Sequence, residues 1–301
     1  MVLAAVGQIC SRNNVQWNLR VCKSVVRRAA QAGAKFVCLP EASDFIAKAE
    51  DVYGLSETLE ASAFLKGIKE EAASSNIWVS VGLHEVPESG GDQEGSKKRC
   101  YNSQCLVTPE GELASVYRKL HLFDVDFKGS LSISESGTTL KGDALPEVTE
   151  TAVGKVGMLT CYDLRFPEVA LILRKQGADI ITYPSAFAVR TGMAHWDPLL
   201  RARAIETQSY VLAAAQVGSH PPTSRASYGK ACIIDPWGTI VAQCNDNLTE
   251  YENQDNEDSG TFCLAEIDLS YLQRIRKEMP LWDQRRPEVY KQVHQSQANG
   301  A

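Results

Sequence analysis

Three segments of this 301-residue chain place a reactive side chain at the end of an expected strand. In FVCLPE, residues 36–41, a short hydrophobic run meets Pro40 and a carboxylate, Glu41. In YRKLH, residues 117–121, Lys119 follows a run that reads as a hairpin strand. In GMLTCYDLRFPE, residues 157–168, an apolar run stops at Cys161 and a helical stretch begins soon after. A carboxylate, an ammonium and a thiol suffice for acyl transfer: a base, a stabiliser of an oxyanion and a nucleophile. Open α/β sheets present such groups at the carboxyl ends of their strands. Taken singly, each has an ordinary explanation. Glu41 is equally a solvated carboxylate, Lys119 one member of a solvated basic cluster, and Cys161 a packed thiol like most of its eight siblings. Cys161 differs in its strand-to-helix turn, where free backbone N–H groups and the helix dipole favour a thiolate and offer one side of an oxyanion hole.

The elements that must position these groups alternate between two periods. Residues 2–9 read as a strand and 14–32 as a helix with an apolar stripe at Val15, Leu19, Val21, Val25 and Val26. A strand at 36–39, a helix at 63–73 and a strand at 77–83 follow, then a turn-rich loop at 87–99 and a hairpin of 101–107 with 113–117. The second half repeats this order: strand 155–160, helix 167–176, strand 179–183, helix 195–208, strand 210–217, and a hairpin of 230–235 with 239–243 around DPWG. A last strand falls at 261–267. The sequence itself does not repeat; only the order of elements does. Two sheets, each covered on its outer face by helices, would bury such a pattern.

Composition excludes several classes. The net charge of −6 argues against a nucleic-acid partner, and the basic triplet 97–99 reads as a solvated loop. No apolar stretch is long enough for a membrane span and the N-terminus lacks the pattern of a signal peptide, so a cytosolic setting is expected, a mitochondrial pool being also compatible. Nine cysteines at irregular spacings with no C-x-x-C suggest neither a disulfide framework nor a zinc site. Phosphate-binding loops, H-E-x-x-H and G-x-S-x-G are all missing. The segment 245–259 holds six acids and no base, and reads as a solvated loop.

Taken together, the three reactive segments resemble the Glu–Lys–Cys triad of the nitrilase superfamily, in order and in spacing. ISESGTTL with Glu135, PSAF at 184–187, TGMAHW from 191, LLRARAIE, AAAQVG at 213–218, DPWG at 235–238 and MPLWDQRR at 279–286 extend the likeness from about residue 2 to Tyr290. Within the superfamily the chain is similar to the Nit-type amidases, and the HWDPLLRARAIE and MPLWDQRR runs look most like the deaminated glutathione amidases. The resemblance implies a four-layer α-β-β-α sandwich and a single carbon-nitrogen hydrolase domain over residues 1–301. It also implies a homodimer or higher homo-oligomer, with a tail from about 279 to 301 docking at the interface, and neither cofactor nor metal.

By the same resemblance Glu41 is the base, Cys161 the nucleophile that forms a thioester, and Lys119 with the Tyr162 N–H the oxyanion site. Glu135 is the second glutamate, orienting the lysine or the substrate. Arg165 is placed to bind a substrate carboxylate, and Phe187 and Thr191 to line the pocket. The implied reaction is hydrolysis of a linear amide: deaminated glutathione to 2-oxoglutarate and cysteinylglycine, a metabolite-repair step, or alternatively ω-amidase action on 2-oxoglutaramate. The chain departs from the family pattern at FKG (127–129), at Lys141, at Lys230 and in the longer acidic loop. Three other readings make different demands: a papain-like hydrolase needs His121 or His195 beside Cys161, a true nitrilase prefers nitriles, and a non-enzymatic interaction protein forms no thioester.

Overall fold

The computed structural model describes residues 1–88, 98–127, 131–245 and 256–289. The first half contains β1 (Val2–Ile9), α1 (Val15–Gln31), β2 (Ala34–Cys38), α2 (Ala49–Leu55), α3 (Ala63–Ser75), β3 (Trp78–Glu85), β4 (Cys100–Val107) and β5 (Leu113–Arg118). A small hairpin, β6 (Asp124–Phe127) and β7 (Leu131–Ser134), and the short strand β8 (Thr139–Leu140) lead to the second half. There, β9 (Val148–Thr151), β10 (Gly154–Met158), α4 (Pro167–Lys175), β11 (Ile180–Thr182), α5 (Val189–Thr207) and β12 (Tyr210–Ala213) follow in order. Next come β13 (Ala215–Ser219), β14 (Ala226–Tyr228), β15 (Cys232–Ile234), β16 (Ile240–Gln243), β17 (Thr261–Ile267) and α6 (Leu269–Glu278).

The repeated order of elements becomes a repeated topology. In one sheet β1, β2 and β3 run parallel, with β4 and then β5 added antiparallel. In the other, β10, β11 and β12 run parallel, with β15 and then β16 added antiparallel. Side chains alternate across each strand, so one face of the first sheet meets its helices and the other meets the second sheet. Ala5, Val37, Val79 and Cys105 pack with Val21, Val25, Phe64 and Ile68 of α1 and α3. Ala4, Val6, Phe36 and Leu106 pack instead with Val156, Ile181 and Leu212, and α4 and α5 cover the far side through Leu173, Trp196 and Leu200. The result is the expected α-β-β-α stack. Helix α1 illustrates what holds it: Asn14 caps it by accepting from the Trp17 N–H at 2.9 Å, but the buried stripe of Val21, Val25 and Val26 dominates. Each such side chain contributes about 1.5–3 kcal/mol on burial, which outweighs the poor helix propensity of valine.

Two expectations need correction. The run 210–217 is not one strand: β12 ends at Ala213 in the second sheet and β13 begins at Ala215 in the first, beside β1. Every residue from 210 to 217 is buried, so periodicity carries no mark of the switch at Ala214. The helix expected from 195 begins at Val189. Its first turn has no side-chain cap and contains Gly192, which reads as a breaker; a Cβ there would lie 2.3 Å from Cγ of Tyr228, so the glycine serves close packing. Most of the loop at 87–99, much of the acidic 245–259 segment, two of the FKG residues and the tail beyond 289 lie outside the described residues. Residues 279–289 rest on α4 and α5: Gln208 donates to the Met279 carbonyl at 2.7 Å, and Trp282 lies under the Arg174 and Arg285 guanidinium groups.

Candidate active site

The reactive segments each follow the end of a strand, two in the first half and one in the second. Glu41 lies three residues past β2, Lys119 directly after β5 and Cys161 three residues past β10. Nothing of Glu41, Lys119 or Cys161 is more than 8% exposed. Lys119 Nζ is 2.8 Å from Glu41 Oε1 and 2.9 Å from both carboxylate oxygens of Glu135, which sits on a 3-10 turn after β7. The Cys161 thiol neighbours the Glu41 carboxylate, and each shifts the titration of the other. Glu41 is fixed further by the Ala186 N–H on Oε2 at 2.7 Å, and Glu135 by the Phe123 N–H.

Burial penalises charge on every member, and their mutual contacts decide who carries it. For Glu41, burial pushes the pKa up, but the Lys119 ammonium and hydrogen bonds from Lys119, Cys161 and Asn102 prevail and hold it well below the carboxylate range. For Lys119, burial is outweighed by Glu135 and Glu41, so its pKa rises well above the ordinary value. For Cys161, burial and the Glu41 charge raise the pKa well above that of a free thiol, against the pull of Lys119. The resting site therefore holds a neutral thiol beside an ionised carboxylate. This corrects the expected thiolate: a 3-10 turn, Cys161–Arg165, separates Cys161 from α4, and burial and the Glu41 charge disfavour the ionised thiol.

Cys161 has φ of +47°, a left-handed conformation rare for a side-chain-bearing residue, which projects the thiol from the turn. Its own N–H donates to the Pro184 carbonyl at 3.0 Å and the Asp163 N–H donates to the Thr160 carbonyl. Between them, the Tyr162 N–H donates to no other group among the described residues. Arg165, Phe187 and Thr191 line a cleft with Cys161, Tyr162 and Phe123. The Arg165 guanidinium lies over the Tyr162 and Phe187 rings, 5.7 and 5.6 Å from their centroids, and donates to His195 Nδ1 at 3.2 Å. It has no carboxylate partner among the described residues. Thr191 donates its hydroxyl to the Ala188 carbonyl at 3.2 Å. A larger groove of about 330 Å³ between β5 and residues 143–147 holds none of the four charged and thiol groups.

Neither histidine required by the papain-like reading meets the thiol. His121 pairs with Asp163 at 2.7 Å and stacks on Phe166, while His195 meets Arg165.

Sequence reasoning missed the residues that hold the four together. Asn102 on β4 donates through Nδ2 to Glu41 at 2.7 Å and to Glu135 at 3.1 Å, clamping both carboxylates around Lys119. Asp163, fully buried, accepts from Tyr117 Oη at 2.7 Å, the His121 N–H at 3.1 Å and the Thr160 N–H at 3.0 Å. It thereby ties the Lys119 segment to the Cys161 turn. Gln216 on β13 donates to the Glu41 and Ala42 carbonyls, anchoring the Glu41 segment from across the strand switch. Asp163 stands two residues from Cys161 in CYD and so had a sequence signal; Asn102 and Gln216 are single polar residues in strands and had none. Gly82 adds a steric condition, because a Cβ there would be 2.6 Å from Glu41 Cα and 2.8 Å from the Pro40 oxygen. Gly82→Ala is expected to displace Glu41 and lower kcat about 100-fold, the usual cost of an ångström-scale misplacement. Steady-state kinetics beside a thermal melt check this; unchanged kcat in a folded protein refutes it.

The chain matches the family model described as Carbon-nitrogen hydrolase over residues 3–277. It is 45% identical over 291 residues to the deaminated glutathione amidase of Homo sapiens, covering 96% of this chain and 83% of that protein. The Bos taurus deaminated glutathione amidase is 44% identical over 290 residues, with the same coverage. Among solved structures, the NitFhit protein of C. elegans superposes with a TM-score of 0.84 at 37% identity, covering 96% of this chain and 66% of that one. Nit3 of Saccharomyces cerevisiae, a member of branch 10 of the nitrilase superfamily, gives 0.79 at 26% identity, covering 95% and 96%.

Proposed function

Because the chain belongs to the carbon-nitrogen hydrolase family and is an amidase, we propose that Glu41, Lys119, Cys161 and Glu135 carry its reaction. Glu41 takes the Sγ proton as Cys161 attacks the amide carbon. Lys119 and the Tyr162 N–H receive the developing oxyanion, which burial makes a strong interaction. Glu41 then passes its proton to the leaving nitrogen, the amine departs, and a thioester remains on Cys161. A water, deprotonated by Glu41, attacks the thioester, and the acid leaves as the thiol is restored. Glu135 keeps Lys119 charged and aimed. The single observation behind this reading is the buried cluster in which Lys119 joins Glu41 and Glu135 beside Cys161.

The substrate is deaminated glutathione, cleaved to 2-oxoglutarate and cysteinylglycine; Arg165 binds the carboxylate of the 2-oxoacid portion, and Phe187 and Thr191 border its chain. Support comes from the relatives' names and from a guanidinium without a carboxylate partner at the mouth of the cleft. Arg165→Ala is expected to raise KM for deaminated glutathione by roughly 10–100-fold, the loss of one charge-assisted pair at about 1.5–3 kcal/mol. Comparing kcat/KM for deaminated glutathione and 2-oxoglutaramate in both proteins tests the substrate. A wild type that prefers 2-oxoglutaramate would overturn it, and an Arg165→Ala protein with unchanged KM would remove the arginine from the account.

The chain forms one hydrolase unit that pairs as a homodimer. Ile205, Trp237 and Val241 are exposed around α5 and the β15–β16 turn, and residues 279–289 dock beside them, which favours a second copy and a tail at that interface. Among the described residues no helix is long and apolar enough to cross a membrane.

A further inference from the structure

Three of the nine cysteines converge in the layer between the sheets, apart from the triad. Cys232 lies on β15 and Cys244 directly follows β16, both in the second sheet. Cys263 lies on β17, opposite Val6 of β1 in the first sheet. Side-chain alternation on β17 sends Phe262 and Leu264 toward α1 and Cys263 toward the inter-sheet layer that also contains Cys232 and Cys244. One carbonyl joins the two sides: Ala231 O accepts the Cys244 N–H at 2.8 Å, and Cys263 Sγ stands 3.7 Å from the same oxygen. The neighbouring Cys263 thiol, more than burial, pushes the pKa of Cys244 up.

Access is graded across the three. Cys263 is partly exposed, Cys244 is 8% exposed and Cys232 is sealed at 0%. Thiol–disulfide exchange needs an approachable first sulfur and a second within reach of the mixed disulfide. Cys263 and Cys244 meet those two conditions in that order. Cys22, Cys38, Cys100 and Cys105 are 0% exposed and offer no entry.

We infer that Cys263 and Cys244 form a redox-active dithiol that small disulfides of the glutathione disulfide class convert to an intrachain disulfide bridging the two sheets. Cys263, as thiolate, attacks one sulfur of the external disulfide; that S–S bond breaks, one glutathione leaves as thiolate and is protonated, and a mixed disulfide remains. Cys244 then gives up its proton and attacks the Cys263 sulfur, expelling the second glutathione. Two protein thiols are oxidised and one glutathione disulfide is reduced to two glutathione molecules. The step involves none of the residues assigned to amide hydrolysis.

The test uses full-length Cys161→Ser protein, so that the nucleophile of the amidase reaction takes no part, incubated with excess glutathione disulfide and mapped as non-reduced peptides. The expected product has lost two hydrogens, yields a peptide linked through positions 244 and 263, and reverts with dithiothreitol. Adding Cys232→Ala should leave the link in place. A stable glutathione adduct on Cys263 with Cys244 still free overturns the inference. So does a link from Cys263 to Cys232, or three unmodified thiols in folded protein.

Discussion

Glu41→Gln is expected to lower kcat by roughly 10³–10⁴-fold while leaving the protein folded. A positioned general base contributes about 10²–10⁴, and here the thiol it serves is neutral and hard to ionise, because burial and the Glu41 charge both raise its pKa. Glutamine keeps an acceptor for Lys119 and Asn102 but cannot take a proton, and Glu135 still pairs with Lys119. The pH dependence separates this role from a structural one. Lys119 and the other donors depress the Glu41 pKa, so its base form persists well below the ordinary glutamate value of about 4.3. The acid limb of kcat/KM should therefore lie below that value in the wild type, as far as the fold survives. A depressed carboxylate pKa stabilises the fold above the unfolded value and ceases to do so as pH falls through the folded one. The stability difference between wild type and Glu41→Gln should accordingly shrink below about pH 4. Kinetics and thermal melts across pH check both; a loss under tenfold would remove Glu41 as the base.

Lys119→Met should cost both activity and stability. Loss of an oxyanion donor lowers kcat by about 10²–10³, and misdirection of Glu41 adds to this. The substitution also leaves Glu41 and Glu135 facing each other with no cation between them. Breaking a buried pair in this way costs about 3–5 kcal/mol. Glu41 then loses its main opposing charge, its pKa rises, and any residual activity should show an acid limb at higher pH than the wild type. Lys119 itself has a raised pKa, so its stabilising contribution is complete below the unfolded lysine value of about 10.4 and fades as pH rises through the folded one. Chemical denaturation measures the loss. Lys119→Met with Glu135→Gln should regain part of the stability and none of the activity, because the second change removes a buried charge without supplying a donor. Recovery of activity in the double variant would contradict the oxyanion role.

Much of this arrangement was legible from the chain because each triad residue follows the end of a strand, and that local context is written in a few consecutive letters. The repeated order of elements likewise foretold two like sheets. What escaped was long-range. Asn102 is a single polar residue in a buried strand, and nothing near it says that two carboxylates arrive from 61 and 33 residues away. Gln216 lies beyond a sheet switch that hydrophobicity hides, since both sheets bury Ala213 and Ala215 alike. The charge state of Cys161 escapes for the same reason: a turn's dipole is local, whereas burial and the Glu41 charge come from residues far along the chain.

The central claim is that Cys161 carries the acyl group of the substrate. Intact-mass measurement on protein quenched during turnover of deaminated glutathione tests it most directly. The expected result is a 2-oxoglutaryl adduct confined to the peptide containing Cys161, released by hydroxylamine, and neither adduct nor turnover in Cys161→Ala. Turnover that persists in Cys161→Ala, or an acyl group mapped to any other residue, would contradict it.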